Sequence, residues 1–218
     1  MKGLIRNNFY SVGSALKWTI AFCIVVNFAT IIAAGRTTIN NTILTILIIG
    51  QTISFTGLAG TALEKDNASK WSKYERTLPV KIRDITMARY FSFIIFSVIG
   101  ILFATLTVIS LSVVSAQPIN MERVGYGYSF GITYSLLVPA LLYPLVLKFG
   151  ADKVNTILLT STLITVFLFN SSSAILTPYF INLNNADMIY RMGWIVISMI
   201  MFISSYFISI SIYKRKEF

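Results

Sequence analysis

Six apolar runs, each long enough to cross a lipid bilayer, dominate this sequence. A transmembrane helix needs about 20 mostly apolar residues. The runs cover residues 17–34, 43–63, 90–114, 126–147, 156–177 and 192–213. Only 12% of the residues are charged, about half the usual share for a soluble domain. We therefore predict an all-α polytopic membrane protein with six transmembrane helices, forming a single transmembrane domain over residues 1–218.

The positive charges lie mostly on one side of these spans. If the N-terminus is inside, the outer loops hold only Arg36, Arg123 and Arg191 of the 18 Lys and Arg residues. Cytoplasmic loops carry an excess of Lys and Arg. The sequence thus predicts a multi-pass protein with both termini in the cytoplasm. A net charge of +10 would favour nucleic-acid binding in a soluble protein, but in a chain of membrane spans we expect contact with the lipid bilayer and no nucleic-acid partner.

Residues 1–16 have the pattern of an amphipathic interfacial helix. Leu4, Ile5 and Tyr10 alternate with basic and small residues ahead of the first apolar run. Such a segment can lie along the inner membrane surface with its cations at the headgroups. Its Gly and Asn content leaves a disordered tail open as the alternative.

The spans lack the residue types that membrane catalysis and ion-driven transport need. The chain has no His and only one Cys, Cys23, and no Asp or Glu lies near the middle of a span. Proton relays, intramembrane proteases and voltage sensors use charged groups at depth. We therefore predict no catalytic residue, no metal site and no disulfide, and expect the chain not to be an enzyme.

Neutral polar side chains within the spans are candidates for lining a transport path. The alternative is hydrogen bonding between helices, worth about 0.6 to 2 kcal/mol per bond, and it remains open. The candidate path-lining residues are Asn27, Gln51, Ser54, Thr56 and Asn170.

One charged segment, residues 64–89, interrupts the apolar pattern. Trp71, Tyr74 and Leu78 are spaced to share one face of a short helix, and Pro79 would end that helix. Two destinations fit this aromatic face: the lipid headgroups, or a groove on a soluble partner. The residue types at 66 and 67 predict an N-cap for a helix beginning near residue 68.

This segment resembles the region after the second transmembrane helix of ABC-2 type permeases, especially the small six-helix permeases of bacterial exporters. The positions that carry the resemblance are Glu64, Asp66, Trp71, Tyr74, Leu78, Pro79, Lys81, Arg83, Arg89 and Tyr90. A second motif of that family, YPLxxKFGxxK after the fourth helix, matches Tyr143, Pro144, Leu145, Lys148, Phe149, Gly150 and Lys153.

The resemblance implies a type V exporter-like permease subunit in the bacterial cytoplasmic membrane, coupled to separate ABC ATPase subunits. Those subunits would bind ATP and Mg, and this chain, which lacks a GK[ST] phosphate-binding sequence, would hold no cofactor. The residues expected to couple to the ATPase lie in segments 64–89 and 148–153. They are Glu64, Asp66, Trp71, Tyr74, Leu78, Pro79, Arg83, Lys148, Phe149 and Gly150.

The same resemblance implies a second permease subunit, identical or different, that completes the translocation path. It also implies a re-entrant hairpin within the outer segment 171–191. The cargo implied by analogy with bacteriocin and phenol-soluble modulin exporters is a peptide or amphipathic toxin. A stand-alone membrane protein that confers immunity by sequestering a bacteriocin-like peptide is the alternative.

Overall fold

The structure is a computed structural model that describes residues 2–34, 41–75, 79–115, 118–176 and 186–215. Those residues are almost entirely helical and contain no strand. A 3-10 turn, Ala151–Lys153, separates the sixth and seventh helices. The helices are α1 (Lys2–Ser11), α2 (Gly13–Ala34), α3 (Asn41–Ala68), α4 (Trp71–Glu75), α5 (Ile82–Val114), α6 (Met121–Phe149), α7 (Val154–Leu176) and α8 (Ala186–Arg215).

Six of these helices, α2, α3 and α5 to α8, are long and apolar enough to cross a membrane. Each one contains one of the six apolar runs, apart from the last residue of the fifth run. The all-α class and the count of six spans are therefore confirmed. Helices satisfy every backbone hydrogen bond within the segment, which is why an apolar run of this length folds this way in lipid.

Helix α6 is the centre of the bundle and α2 lies at its edge. Of the most apolar stretch of α6, 72% is buried, against 6% for α2. Helix α6 packs against α3, α5, α7 and α8. Its contact with α3 depends on Gly131, because a methyl group there would stand 2.7 Å from the Thr52 Oγ1 atom.

The N-terminal segment is helical as predicted, but α1 covers only Lys2–Ser11, and residues 13–16 of the predicted segment belong to α2. Leu4 is buried in the same apolar cluster as Ile85 and Ala88, while Tyr10 is exposed. The buried Asn8 side chain donates a hydrogen bond from Nδ2 to the Ser92 Oγ atom at 3.0 Å. Helix α1 is therefore attached to α5 along its apolar face.

The predicted N-cap at residues 66 and 67 is wrong. Helix α3 continues through both residues to Ala68, and α4 begins only at Trp71. Between the helices, Lys70 has a φ of 53°, a left-handed conformation that ends the helical run. Asp66 lies on the buried face of α3, where its carboxylate contacts Arg89 and does not cap a helix.

Two predictions fall on residues that the structure does not describe. Leu78, the third member of the predicted aromatic face, lies outside the described residues. So do residues 177–185, which form the centre of the predicted re-entrant segment 171–191.

Candidate functional site

Three charged side chains from three helices meet in the interior at one end of the bundle. The Arg89 Nη2 atom, on α5, contacts the Asp66 Oδ2 atom on α3 and lies 3.9 Å from the Glu75 Oε2 atom on α4. None of the three side chains is more than 8% exposed. We call these three residues the ion cluster. An arginine so deeply buried needs an acidic partner, because an unpaired charge there costs several kcal/mol.

The ion cluster is unbalanced, with two carboxyl groups and one guanidinium. Burial raises the pKa of the Glu75 carboxyl above its ordinary value, and the attraction of Arg89 offsets that effect only in part. The cluster borders a cavity of about 70 Å³ that is also lined by Tyr143 of α6 and Tyr213 of α8. Five helices therefore converge on this one charged site.

The two inner segments predicted to act together are in contact. Asn67 Nδ2, at the end of α3, donates a hydrogen bond to Asp152 Oδ1 in the 3-10 turn at 2.7 Å. One turn earlier on α3, Glu64 Oε1 accepts a hydrogen bond from Asn155 Nδ2 on α7 at 3.2 Å. Segment 64–89 is thus connected to segment 148–153 through polar side chains at the surface.

A family comparison decides which class of membrane protein carries this arrangement. The model of the ABC-2 family transporter protein matches residues 3–214. The chain belongs to the ABC-2 transporter family. Comparisons with curated proteins and with solved structures give no significant match. As a member of this family, the chain is the membrane permease component of an ABC transporter.

Most of the permease's predicted coupling residues that the structure describes are exposed, while Asp66 is buried. Tyr74 is 63% exposed and its ring stacks on that of the half-buried Trp71, with 5.9 Å between ring centroids. Across the second inner segment, Gly150 has a φ of 96°, which a residue with a Cβ adopts only with strain. The other exposed members of the predicted set are Glu64, Pro79, Arg83, Lys148 and Phe149.

Two of the permease's candidate path-lining residues are joined across helices instead of standing apart. Thr107 Oγ1, on α5, donates a hydrogen bond to Asn27 Oδ1 on α2 at 2.6 Å and accepts one from Gln51 Nε2 on α3 at 2.8 Å. This is the interhelical bonding that the sequence left open as the alternative. Whether Asn27 and Gln51 also face a path stays a prediction.

The other three candidates bond to carbonyl groups of their own helices. Ser54 Oγ donates to Gly50 O, the buried Thr56 Oγ1 donates to Thr52 O, and the exposed Asn170 Nδ2 donates to Val166 O. Such bonds satisfy a polar side chain inside a membrane helix without a partner helix. Their role in a path likewise stays a prediction.

Sequence reasoning missed Glu75 and Arg89 as site residues of this permease. Arg89 was noted only as part of the family motif, and Glu75 only as one of the charges of the segment. A usable signal was present in the sequence, since Arg89 directly precedes an apolar run and lies four residues after Ile85, a spacing that puts both on one helix face. An arginine on the buried face of a span predicts a carboxylate partner on a neighbouring helix.

Proposed function

We propose that this permease subunit converts movement of a separate ATPase into movement of α3 and α5, and thereby drives export across a bacterial cytoplasmic membrane. The observation that carries the proposal is the ion cluster. It attaches the short surface helix α4, through Glu75, to the ends of two transmembrane helices that carry Asp66 and Arg89. A displaced α4 would therefore pull on both helices, because Glu75 would have to leave its buried contact with the Arg89–Asp66 pair.

The surface around α4 supplies the docking site for the ATPase in this proposal. Aromatic anchors carry much of the energy in protein interfaces, and Tyr74 together with the half-buried Trp71 is proposed as such an anchor. The hydrogen bond from Asn67 to Asp152 connects the end of α3, just before α4, to the 3-10 turn after α6. One partner can therefore engage both inner segments. ATP and Mg would bind to the ATPase, with both termini of the permease on the same, cytoplasmic side.

A second permease subunit, identical or different, completes the translocation path in this proposal. Helix α2 presents a largely exposed apolar surface that suits contact with lipid or with another subunit. The cargo we propose is a peptide or amphipathic toxin. No Asp, Glu, Lys or Arg stands near the middle of a span to bind an ion, and the resemblance is to peptide exporters.

The experiment that tests ATPase docking compares two pairs of alanine substitutions. Trp71→Ala with Tyr74→Ala removes the aromatic anchor at α4. Tyr10→Ala with Trp18→Ala removes the same two residue types at positions that are each 77% exposed, on α1 and α2. The tagged chains are purified in mild detergent from the native membrane, and the ATPase that accompanies each is quantified by mass spectrometry.

We expect the α4 pair to weaken ATPase association by at least about 2 kcal/mol, or about 30-fold, which is the usual scale for an interface anchor. The control pair should retain the ATPase, and both variants should elute as folded chains. Equal ATPase recovery with both pairs would contradict docking at α4. Recovery of the unaltered chain with only a secreted peptide would favour the sequestering alternative over export.

A further inference from the structure

An open groove runs between α6 and α8 on the outer surface of the bundle, next to the end that holds the ion cluster. It has a volume of about 340 Å³. Its walls are apolar, formed by Leu141 and Leu145 of α6 and by Met201, Ile208 and Ile212 of α8. Apart from Lys148 and two serines, every side chain that lines the groove is apolar, so its composition suits contact with lipid acyl chains.

Positive charge is concentrated at one end of this groove. Lys148, in the last turn of α6, lines the groove and is exposed. Among the described residues Lys148 has no carboxylate partner, and its Nζ atom lies 5.5 Å from the Phe149 ring centroid. Lys214 and Arg215, in the last turn of α8, follow shortly after Ile212. Lysine and arginine at such positions extend their charged ends toward phosphate groups at the membrane surface.

The floor of the groove contains two serines whose hydroxyl groups are already occupied. Ser204 Oγ donates a hydrogen bond to Ile200 O at 2.8 Å. Ser205 Oγ donates to Ala140 O at 2.5 Å and hydrogen-bonds with the Tyr90 hydroxyl at 2.7 Å. Because both hydroxyl groups already have hydrogen-bond partners, the floor of the groove suits an apolar chain. The ammonium group of Lys148 is then the polar group in the lining that can bind a ligand.

We propose that this groove binds one acyl chain of an anionic phospholipid, with the lipid phosphate at Lys148. The assignment rests on the proposed function, which puts this end of the bundle at the cytoplasmic side and hence in the inner leaflet. It gives Lys148 a lipid contact, whereas the family resemblance implied contact with the ATPase. A bound chain would lie over the junction of α6 and α8, next to the hydrogen bond between Tyr90 and Ser205.

The test uses the purified full chain in nanodiscs of phosphatidylcholine that contain a small fraction of phosphatidylglycerol. Native mass spectrometry counts the phosphatidylglycerol molecules that remain bound after the nanodisc is removed. Lys148→Ala removes the charge at the groove, and Lys153→Ala removes an exposed charge five residues away in the 3-10 turn. Ser204→Phe fills the groove and leaves every charge in place.

We expect Lys148→Ala to weaken retention of the tightest phosphatidylglycerol about fivefold, the scale for one cation near an anionic headgroup. Ser204→Phe should abolish that species, and Lys153→Ala should leave it unchanged. Equal losses with Lys148→Ala and Lys153→Ala would overturn the proposal, since they would indicate general attraction to anionic lipid. Loss of a permease dimer with Ser204→Phe, without a lipid change, would overturn it in favour of a second copy in the groove.

These outcomes are independent of the docking of the ATPase. The lipid measurement is made on the chain alone and needs no ATPase partner. The accompanying ATPase is quantified for Ser204→Phe as for the α4 variants, and we expect it to be retained because Ser204 lies in neither inner segment. Failure of the lipid proposal therefore leaves the proposed function standing, whereas failure of ATPase docking is seen in the pull-down and does not alter the lipid count.

Discussion

Replacing Arg89 by Met removes the positive charge of the ion cluster while keeping an unbranched side chain. The change leaves the carboxyl groups of Asp66 and Glu75 buried at the junction of α3, α4 and α5 without a counter-charge. Removing one partner of a buried ion pair costs about 3–5 kcal/mol. Since Glu75 already has a raised pKa, it can take up a proton, and the cost should fall near the lower end, at about 3 kcal/mol.

The matched control is Glu75→Gln, which leaves Arg89 paired with Asp66. The Glu75 carboxyl lies 3.9 Å from the guanidinium, and an amide of the same size replaces it without an unpaired charge. We expect this variant to lose no more than about 1 kcal/mol, the usual net contribution of one hydrogen bond or weak ion pair. The comparison separates the burial of unpaired charge from a simple change of side chain.

Trypsin cleavage after Lys70, at the start of α4, measures the opening of this region. The chain is digested in detergent, and mass spectrometry follows the fragment that ends at residue 70. When opening is fast, the cleavage rate follows the population of the open state. A cost of about 3 kcal/mol corresponds to cleavage about 150-fold faster for Arg89→Met, whereas Glu75→Gln should change the rate less than about sixfold.

The pH dependence of the Arg89→Met variant gives a second readout with a definite sign. Protonation of Glu75 removes one unpaired charge, so the excess cleavage should shrink as the pH falls and grow as it rises. The triple variant Asp66→Leu, Glu75→Leu and Arg89→Met should regain most of the lost stability, as apolar replacements of buried ion clusters do. The same variant should lose coupling to the ATPase. The reasoning is refuted if Arg89→Met is cleaved no faster than Glu75→Gln.

Two further changes test the packing and the polar contacts of the spans. Gly100→Ala would put a methyl group 3.1 Å from the Phe55 Cβ atom and should cost about 1–3 kcal/mol, seen as a lower unfolding temperature in detergent. Gly57→Ala meets nothing within 4 Å and should be neutral or stabilise the helix by up to about 1 kcal/mol, so equal losses would contradict the assigned packing. Tyr90→Phe removes the hydrogen bonds to Ser205 and Ser209 and should lower the free energy of unfolding by about 1 kcal/mol. Ser209→Ala should cost less in the Tyr90→Phe chain than in the unaltered chain. Fully additive losses would argue against a shared network.

The helices could be predicted from the sequence because their cause is local. A segment spans the membrane when its run of apolar residues is long enough to cross the hydrocarbon core. Both the length of the run and the thickness of the core are known before the tertiary structure is. The same holds for α1 and α4, whose apolar and aromatic residues recur at helical spacing. The apolar run that starts at Tyr90 marks only the span, and α5 begins earlier, at Ile82, because the helix continues into the charged segment.

The site was predicted only in part, as Asp66 illustrates. Its side chain is of a type that favours N-caps and it precedes a plausible helix, so local rules assigned it to a cap. In the structure Asp66 faces the interior on α3 and contacts Arg89, 23 positions further along the chain. Local preference, worth about 1 kcal/mol for a cap, is smaller than the cost of leaving a buried arginine unpaired.

By itself, the sequence determined that the chain lies in a membrane and that it has six spans. It also determined that a charged segment with a short aromatic helix lies between the second and third spans. The tertiary structure alone decided that Arg89 lies between Asp66 and Glu75, that Asn67 meets Asp152, and that Thr107 joins Asn27 to Gln51. The physical reason is that a span depends only on consecutive residues of one segment, namely on the length of its apolar run. A buried charge or polar group instead takes its partner from whichever helix packs beside it, and periodicity in one segment carries no information about its neighbour.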